Sequence, residues 1–573
     1  MKYNIKNLIL KHWHWLLLTL VAIGFFIGTA SFNYLAQKNY FVKWLSPDET
    51  ANYVLTKLYA QKSQLSFFEK YNILAQDIIH PRSFRSDLGS IKPVSFLGLI
   101  LIYGKIAGLM GYKVIPYLTP WFAALGIIFY YLFIKEIFGR KNALLSALLL
   151  TVFPPFIYYS ARSLFHNVLF VVLLIISLYF AMLSVKKSKA MAARGWPEIL
   201  FAALAGSFLG LAIITRTSEL IWLTPLWLIV WLANVKKIGL VKLIIFISFM
   251  LFSLLPAMYW NKILYQSYWQ GGYAEMNRSI INIAGAGSAM IKTAAVKRNL
   301  TQIKNNIFYF GLQPLKSLKM FYYYFVRMFY WLFWPALLGF ILFLQKIKKL
   351  EKRHYIFLIS YFVISLVLLF YYGSWDFHDN PDPKSYTIGN SYARYWLPIY
   401  LGAMPLASIF LLKLSNIFKK KVFVYGLRVL MVILIYFISL RFVLFGSEEG
   451  LVKSARNLES MRGEYDKVLV LTENRAAIIT RYHDKLFFPE RKVIVGLFDD
   501  DNMNSQYAAL AERLPLYYYN FTFPEQDINY LNNRKLAEFG LRIMPVEKIT
   551  KDFTLYKLLS VIPAQAGIQI LNK

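Results

Sequence analysis

Long apolar stretches separated by short cationic loops dominate the chain between residues 15 and 445. Each stretch has about 20 residues, the length that a helix needs to cross the hydrocarbon core of a bilayer. The stretches lie at residues 15–36, 93–111, 117–138, 142–160, 164–184, 198–215, 218–235, 239–258, 321–345, 355–373, 393–412 and 422–445. This pattern predicts an all-α polytopic membrane protein, with the first stretch retained as an uncleaved span.

The cationic loops indicate which stretches cross the membrane, because short loops rich in Lys and Arg stay on the cytoplasmic side. If residues 93–111 do not cross, the basic loops, such as Lys236–Lys237 and Lys346–Arg353, all fall on that side. If they do cross, every later basic loop faces the wrong way. The stretch also contains Pro93 and Lys105, which suits an interfacial or re-entrant segment. The sequence therefore predicts about 11 transmembrane helices.

This threading predicts an integral protein of the plasma (inner) membrane with a cytoplasmic N-terminus. We expect residues 1–446 to form the transmembrane module and residues 447–573 to form a small extracytoplasmic α/β domain. In that domain the residue pattern predicts strands at 467–471 and 491–498 and helices at 503–513 and 533–540. The external loops of the transmembrane module are expected at 37–116, 259–320 and 373–392.

Composition narrows the class of protein. Hydrophobic residues make up 58% of the chain and charged residues 16%, which excludes an ordinary soluble protein. The net charge of +34 lies largely between the apolar stretches, where it sets orientation, so we expect a bilayer and no nucleic acid as partner. The chain has no Cys, which excludes disulfides and thiolate metal sites.

Two adjacent carboxylates, Asp48 and Glu49, begin the first external region. Ser46, Pro47 and Glu49 have the spacing of a capping box, which predicts a surface helix that extends over about 51–72. A carboxylate at a helix N-terminus is also stabilised in its charged form by the backbone amides, and it could accept a proton from a hydroxyl or amine. Both interpretations, a helix cap and a general base, are open.

Three cations follow in the same region: Arg82, Arg85 and Lys92. They could contact lipid headgroups. They could instead hold a phosphate, since Arg presents a fork of donors and Lys a point charge. A reaction in which a lipid phosphate leaves needs such cations, because negative charge grows on its oxygens in the transition state.

Residues 10–445 resemble the GT-C membrane glycosyltransferases, in particular the branch that contains the protein O-mannosyltransferases and the lipid A aminoarabinose transferases. The resemblance rests on the first span, the Asp-Glu pair, the basic segment that ends at Lys92-Pro93, and several loose motifs. These motifs are Phe138-Gly139-Arg140-Lys141, Tyr159-Ser160-Ala161-Arg162, Thr215-Arg216 with Pro225, and Ser391-Tyr392-Ala393-Arg394-Tyr395-Trp396-Leu397-Pro398.

The resemblance implies that Asp48 is the catalytic carboxylate, with Glu49 as its neighbour, and that Lys92 contacts the carrier phosphate. It also places Arg162 and Arg216 where the family often has an arginine, and Arg394 could anchor a phosphate or pair with the loop before it. Two features depart from the family. The loop Ser163–Asn167 lacks the usual carboxylate, which leaves that role to His166 or Asn167, and the Trp-Trp-Asp motif of oligosaccharyltransferases is absent.

The loop after residue 373 holds Trp375, Asp376, His378 and Asp379. Asp376, His378 and Asp379 could bind a divalent cation, Trp375 and Asp376 could recognise a sugar, and the loop could equally be a solvated turn. A monophosphate leaving group held by cations has little need of a metal, so we expect no required cofactor.

The resemblance and the residues together predict an inverting glycosyltransferase. It would move a single sugar from a polyprenyl-phosphate donor to an extracytoplasmic protein, lipid or glycan. Two other classes are open. A transporter or flippase of lipid-linked sugars would place charges at mid-membrane depth, and a polysaccharide polymerase or ligase would depend on loop cations such as Arg278 and Arg298.

Overall fold

Long helices occupy the apolar stretches. The computed structural model describes residues 5–37, 40–186, 196–272, 311–377, 379, 382, 384–446 and 449–561. The helices are α1 (Ile5–Ala36), α2 (Pro47–Lys62), α3 (Tyr71–Leu74), α4 (Gly98–Met110), α5 (Ile115–Phe138), α6 (Arg140–Thr151), α7 (Pro154–Arg162), α8 (His166–Val185), α9 (Trp196–Thr215), α10 (Leu220–Tyr265), α11 (Pro314–Phe321), α12 (Tyr330–Leu344), α13 (Lys352–Gly373), α14 (Ser391–Tyr395), α15 (Leu397–Ser415), α16 (Lys421–Phe445), α17 (Leu451–Leu471), α18 (Asp484–Phe487), α19 (Asp501–Ala511) and α20 (Glu525–Tyr530). The strands are β1 (Phe67–Phe68), β2 (Phe84–Asp87), β3 (Ser90–Pro93), β4 (Ala477–Ile479), β5 (Lys492–Ile494), β6 (Leu516–Phe521), β7 (Leu541–Lys548) and β8 (Phe553–Ser560).

The helices confirm an integral multi-pass membrane protein. Among the described residues, 8 helices are long and apolar enough to cross a membrane, or up to 10 if each of two bent helix pairs is one span. Within α10, Gly239 has a non-helical backbone (φ 66°, ψ 168°), so the predicted stretches 218–235 and 239–258 lie on either side of a break. Counting the two halves of α10 separately, and each bent pair as one span, gives the predicted number of about 11.

The bent pairs differ from the straight spans that hydropathy predicts. Helices α6 and α7 meet at 53°, and the segment Pro314–Arg327 meets α12 at 99°. Pro154 and Pro155 begin α7, because proline is tolerated in the first turn of a helix but cannot continue the preceding one. The spans predicted at 142–160 and 321–345 are therefore both bent helix pairs.

Residues 93–111 do not form a transmembrane helix. The strand β3 ends at Pro93, and α4 has 13 residues, too few to cross the hydrocarbon core. Helix α4 packs on α2 at Gly104, where an added Cβ would lie 2.5 Å from the ring of Tyr59. The expected helix over 51–72 is shorter than predicted, since α2 ends at Lys62 and β1 follows.

The described residues belong to two compact units. The helical unit comprises Met1–Tyr34, Pro116–Tyr259 and Ser279–Lys453. The α/β unit comprises Leu35–Ile115, Trp260–Arg278 and Ser454–Lys573. The first predicted external loop therefore lies in the same unit as the C-terminal residues.

Two sheets organise the α/β unit. A 3-stranded antiparallel sheet has the order β1-β3-β2, and a 5-stranded mixed sheet has the order β5-β4-β6-β8-β7. Ala75 and Ile79, from the first loop, are buried in one apolar core with Ile479 and Ile494 of the larger sheet. The C-terminal α/β fold is thus confirmed, and its core also includes Ala75 and Ile79, about 400 residues earlier in the sequence.

The strand predicted at 467–471 is wrong, because these residues form the last turn of α17. Val468 to Leu471 are all apolar, which favours a strand when read alone. However, Leu458, Tyr465, Val468 and Thr472 are buried at spacings of three, four and seven residues, while Val470 is 86% exposed. This helical periodicity continues the face of α17 that packs on the core. The other predictions in this domain coincide with β5, with α19 and with the short helical turns at Leu531–Lys535 and Ala537–Phe539.

Candidate functional site

The N-terminus of α2 carries the Asp48-Glu49 pair, and the predicted capping box is present. The Ser46 Oγ accepts a hydrogen bond from the Asp48 amide at 3.3 Å, and the Ser46 amide donates to Glu49 Oε2 at 3.0 Å. Glu49 is fully buried. The sequence Ser-Pro-Asp-Glu thus starts the helix by itself, and one of the two predicted catalytic carboxylates, Glu49, caps it.

Asp48 is only half-buried. Its Oδ1 accepts a hydrogen bond from the Ser83 hydroxyl at 2.6 Å, and Oδ2 has no hydrogen-bond partner among the described residues. The position in the first turn of α2 stabilises the negative charge, because the backbone amides point toward it. This arrangement fixes the carboxylate through one oxygen and leaves the other available for a proton.

Ser83 comes directly before β2, whose hairpin with β3 carries two of the predicted cations. Arg85 lies directly opposite Lys92 in the antiparallel register, so both side chains are on the same face of the sheet. The turn residues Leu88 and Gly89 both have positive φ (47° and 81°), as a two-residue hairpin turn requires. The Asp48–Ser83 hydrogen bond therefore attaches the helix terminus to the end of the hairpin that bears Arg85 and Lys92.

The two cations of the hairpin have different surroundings. Lys92 is 5% exposed, and its ammonium lies 2.9 Å from the Asp87 carboxylate and 2.9 Å from the carbonyl of Leu264. The ammonium also lies 5.4 Å from the ring centre of Tyr265. Arg85 is half-buried. Of the predicted pair, Arg85 is the more accessible to an anion.

Arg82 binds a carboxylate of the C-terminal segment. Its amide and its Nε donate to the two oxygens of Asp484 at 2.8 and 3.0 Å, and the Asp484 side chain is fully buried. The next residue, Ser83, has a positive φ of 64°, which is uncommon for a residue other than glycine. A buried anion thus fixes the backbone of the dipeptide whose hydroxyl holds Asp48.

In the helical unit, three predicted arginines are connected through two aromatic rings, which we call the arginine–aromatic row. Phe165 lies between Arg162 and Arg394. Its ring centre is 5.6 Å from the guanidinium carbon of Arg162 and 4.7 Å from that of Arg394. Tyr395 lies between Arg394 and Arg216, at 5.2 and 4.5 Å. Guanidinium groups stack favourably on such rings. The fold therefore brings together three cations that are far apart in sequence.

The arginines of the row differ in exposure. Arg162 donates to the Tyr158 hydroxyl at 2.7 Å and Arg394 to the Ser391 hydroxyl at 2.7 Å, and both are half-buried. Arg216 is 5% exposed and forms a 2.7 Å ion pair with Glu219. Arg162 and Arg394 are thus the accessible members of the row.

The turn between α7 and α8 supports the row with a strained backbone. Ser163 has φ 58° and ψ 175°, a region adopted almost only by glycine, and Leu164 has φ 53°. His166 and Asn167, which are predicted to take the role of a loop carboxylate, are both buried at the start of α8. The side-chain amide of Asn167 donates a hydrogen bond to the backbone carbonyl of Arg394 at 3.3 Å. This segment therefore helps to position the row.

The predicted sugar and metal loop is partly described. Trp375 packs against Tyr371, Tyr372 and Phe377, and Asp376 pairs with Lys316. Asp379 accepts a hydrogen bond from the Ser391 amide at 2.7 Å. His378 lies outside the described residues, as do Arg278 and Arg298. Within the described ranges, no group of three His, Asp or Glu side chains is arranged to hold a metal ion.

Four of the residues that hold the candidate groups are not predicted from the sequence: Ser83, Asp484, Phe165 and Tyr395. Phe165 lies three residues after Arg162, and Tyr395 directly follows Arg394. A search of the loops for aromatic residues near arginines would therefore have found both. Ser83 contacts Asp48, 35 residues away in sequence, and Asp484 contacts Arg82, 402 residues away. No local sequence pattern predicts contacts over such separations.

Solved structures share this fold. The apo structure of ArnT from Cupriavidus metallidurans is 11% identical, with a TM-score of 0.51, over 95% of this chain and 97% of that protein. The oligosaccharyltransferase AglB from Archaeoglobus fulgidus, in complex with an inhibitory peptide and a dolichol-phosphate, is 12% identical, with a TM-score of 0.50, over 93% of this chain and 71% of that protein. Neither a protein-family model nor a curated protein sequence matches the chain. The GT-C fold predicted from the sequence is confirmed.

Proposed function

We propose that this GT-C fold protein is a membrane glycosyltransferase that moves one sugar from a polyprenyl-phosphate donor to an acceptor outside the cytoplasm. The observation that carries the proposal is the half-buried Asp48 carboxylate, held through one oxygen by Ser83 at the start of α2. The hairpin that follows Ser83 supplies two cations, Arg85 and Lys92, which lie opposite each other on its two strands. A base and a site for an anion are the two requirements of this reaction.

The proposed step is a direct displacement at the anomeric carbon. An acceptor hydroxyl or amine attacks that carbon and transfers its proton to Asp48 Oδ2. The bond between the anomeric carbon and the phosphate oxygen breaks, and its electron pair leaves with the polyprenyl phosphate. A positioned general base typically contributes a rate factor of about 10²–10⁴. Attack from the face opposite the phosphate inverts the anomeric configuration.

The leaving phosphate requires positive charge. Arg85 and Lys92, on the hairpin beside Asp48, are the groups that we assign to the leaving phosphate. We also assign anion binding to Arg162 and Arg394, within the helical unit. Arginine matches phosphate oxygens through two parallel N–H donors. Because these cations neutralise a monophosphate, the step needs no divalent metal. Activity should therefore be unchanged when the protein is treated with EDTA.

Arg82 receives a positioning role in this proposal instead of the phosphate contact predicted from the sequence. Its bonds to the buried Asp484 fix the backbone beside Ser83, whose hydroxyl holds Asp48. The C-terminal segment would thereby control the geometry of the base. This gives the C-terminal domain a function in catalysis that needs no contact with substrate.

The experiment uses the purified full chain in lipid vesicles with a panel of undecaprenyl-phosphate sugars and a membrane extract as the source of acceptors. We expect one donor to release undecaprenyl phosphate in an acceptor-dependent manner and to yield a product of inverted anomeric configuration. A product of retained configuration, or a covalent sugar adduct on Asp48, would overturn the displacement mechanism. Movement of intact donor across the bilayer without any release of undecaprenyl phosphate would instead identify a transporter.

A further inference from the structure

A cavity of about 370 Å³ lies within the helical unit, apart from the arginine–aromatic row. Its walls come from α5, α8, α10, α13 and α15. Most lining side chains are apolar, among them Phe133, Val171, Leu174, Ile175, Leu178 and Phe357. The volume falls within the range of about 300–1,000 Å³ that is usual for sites of small molecules.

One end of the cavity is cationic. Lys186, Lys237 and Arg353 line it together with Glu136 and Asn234, and we call these five residues the cationic mouth. Lys186 lies 2.8 Å from Glu136 but remains 61% exposed, and Arg353 lies 2.9 Å from Glu351. Lys237 is exposed and has no ion pair among the described residues. The mouth therefore has more positive than negative charge.

The mouth and the arginine–aromatic row lie at opposite ends of the same helices. Helix α8 begins at His166, beside the row, and Lys186 follows its last residue. Twenty residues of helix span about 30 Å, the thickness of the hydrocarbon core of a bilayer. Helix α13 runs the other way: Arg353 is in its first turn, and Tyr372, near its end, accepts a hydrogen bond from Arg216.

An apolar cavity with a cationic mouth at one membrane interface matches one class of ligand: an amphiphile with hydrocarbon chains and an anionic headgroup. Basic pockets between transmembrane helices bind such lipid headgroups. By the charge rule, the mouth belongs to the cytoplasmic leaflet, where the basic loops are expected.

We propose that this cavity binds an anionic glycerophospholipid, with its phosphate at Lys186, Lys237 and Arg353 and one acyl chain against Leu174, Ile175 and Leu178. The site is separate from the proposed reaction and does not depend on it. The bound lipid fills a space between five helices, so it stabilises their packing.

The experiment measures which lipid the purified full chain retains in native mass spectrometry after incubation with equimolar phosphatidylglycerol and phosphatidylcholine. We expect one phosphatidylglycerol per chain, retained at least tenfold over phosphatidylcholine. The double variant K186E/K237E should lose this preference. The control K236E/K346E has the same change in net charge at exposed lysines that do not line the cavity, and it should retain the lipid.

A second variant tests the chain-binding part. Leu178→Trp fills the cavity without a change of charge and should reduce retention of phosphatidylglycerol at least tenfold. Equal retention of both lipids by the wild-type chain, or wild-type retention by K186E/K237E, would overturn the proposal. Displacement of the bound lipid by equimolar undecaprenyl phosphate would also overturn it, because the cavity would then belong to the polyprenyl donor.

Discussion

The hairpin region of the α/β unit and the arginine–aromatic row of the helical unit hold their charges in different ways. In the α/β unit, cations pair with carboxylates: Lys43 with Glu490, Arg82 with Asp484, Lys92 with Asp87, and Lys492 with Glu69. In the row, Arg162 and Arg394 contact rings and hydroxyls. An ion pair fixes the orientation of a charged side chain through a carboxylate, whereas stacking on an aromatic ring positions a guanidinium group through the ring face.

This difference indicates a division of roles. The paired region is suited to hold a base in one orientation, since each ion pair restricts the backbone next to it. The row is suited to bind an anion, since Arg162 and Arg394 are half-buried and each stacks on an aromatic ring. Each region can be altered separately.

Among the variants that compare the two ways of holding charge, the largest effect is expected in the row. The double variant R162Q/R394Q removes both accessible guanidinium charges, and the rate should fall by about 10²–10³, as for the loss of a group that stabilises transition-state charge. Transfer from the donor found for the wild-type chain is the measurement. Arg327→Gln is the matched control, because Arg327 is exposed and stacks on Tyr323 outside the row. Equal rates for R162Q/R394Q and the control would remove the row from the reaction.

A smaller effect is expected from Asp484→Asn. This variant keeps the shape of the side chain but removes the buried anion that binds Arg82, which should lower the stability of the α/β unit by about 2 kcal/mol. Because Arg82 precedes Ser83, kcat should fall with little change in KM. Thermal unfolding and donor kinetics measure the two effects.

Glu473→Gln is the control for this prediction, since Glu473 forms a more exposed ion pair with Lys557 in the same unit. We expect it to change both quantities little. If Asp484→Asn lowers stability but leaves kcat at the wild-type value, Asp484 has only a structural role.

A third effect concerns the dependence of stability on pH and leaves the reaction itself untouched. Burial lowers the pKa of the His483 imidazole to about 4. In the unfolded chain this group titrates near about 6.5, so between these values the unfolded state binds a proton that the folded state does not. Below pH 6.5 His483 therefore reduces stability by about 1.4 kcal/mol per pH unit as the pH falls.

His483→Phe should weaken this acid dependence, since an uncharged ring then occupies the buried position. Unfolding of the wild-type and variant chains at pH 7, 6 and 5 measures the difference between their slopes. Parallel slopes would show that His483 does not carry the acid sensitivity.

Local signals in the sequence predict a large part of this molecule. Ser46, Pro47 and Glu49 form the capping box because its partners are three residues apart. The charge rule excludes residues 93–111 as a span, and the structure gives them a strand end and a 13-residue helix. Hydropathy finds the spans because a bilayer requires about 20 apolar residues of every crossing helix.

The remaining features depend on contacts between distant parts of the chain. The core that joins Ala75 and Ile79 to Ile494 is invisible to any window of sequence. The Arg82–Asp484 pair is separated by 402 residues, and it joins a residue predicted as a phosphate ligand to a buried carboxylate. The strand predicted at 467–471 is wrong because burial follows a helical face that begins well before that segment.

The proposed displacement depends most directly on Asp48, and the decisive measurement is the transfer rate of Asp48→Asn in vesicles with the active undecaprenyl-phosphate sugar. Asparagine keeps an oxygen that accepts the Ser83 hydrogen bond but cannot take up the acceptor's proton. We predict a rate about 10²–10⁴ lower than that of the wild-type chain, with the capping variant Glu49→Gln within about tenfold of the wild-type rate. A wild-type rate for Asp48→Asn would contradict the account.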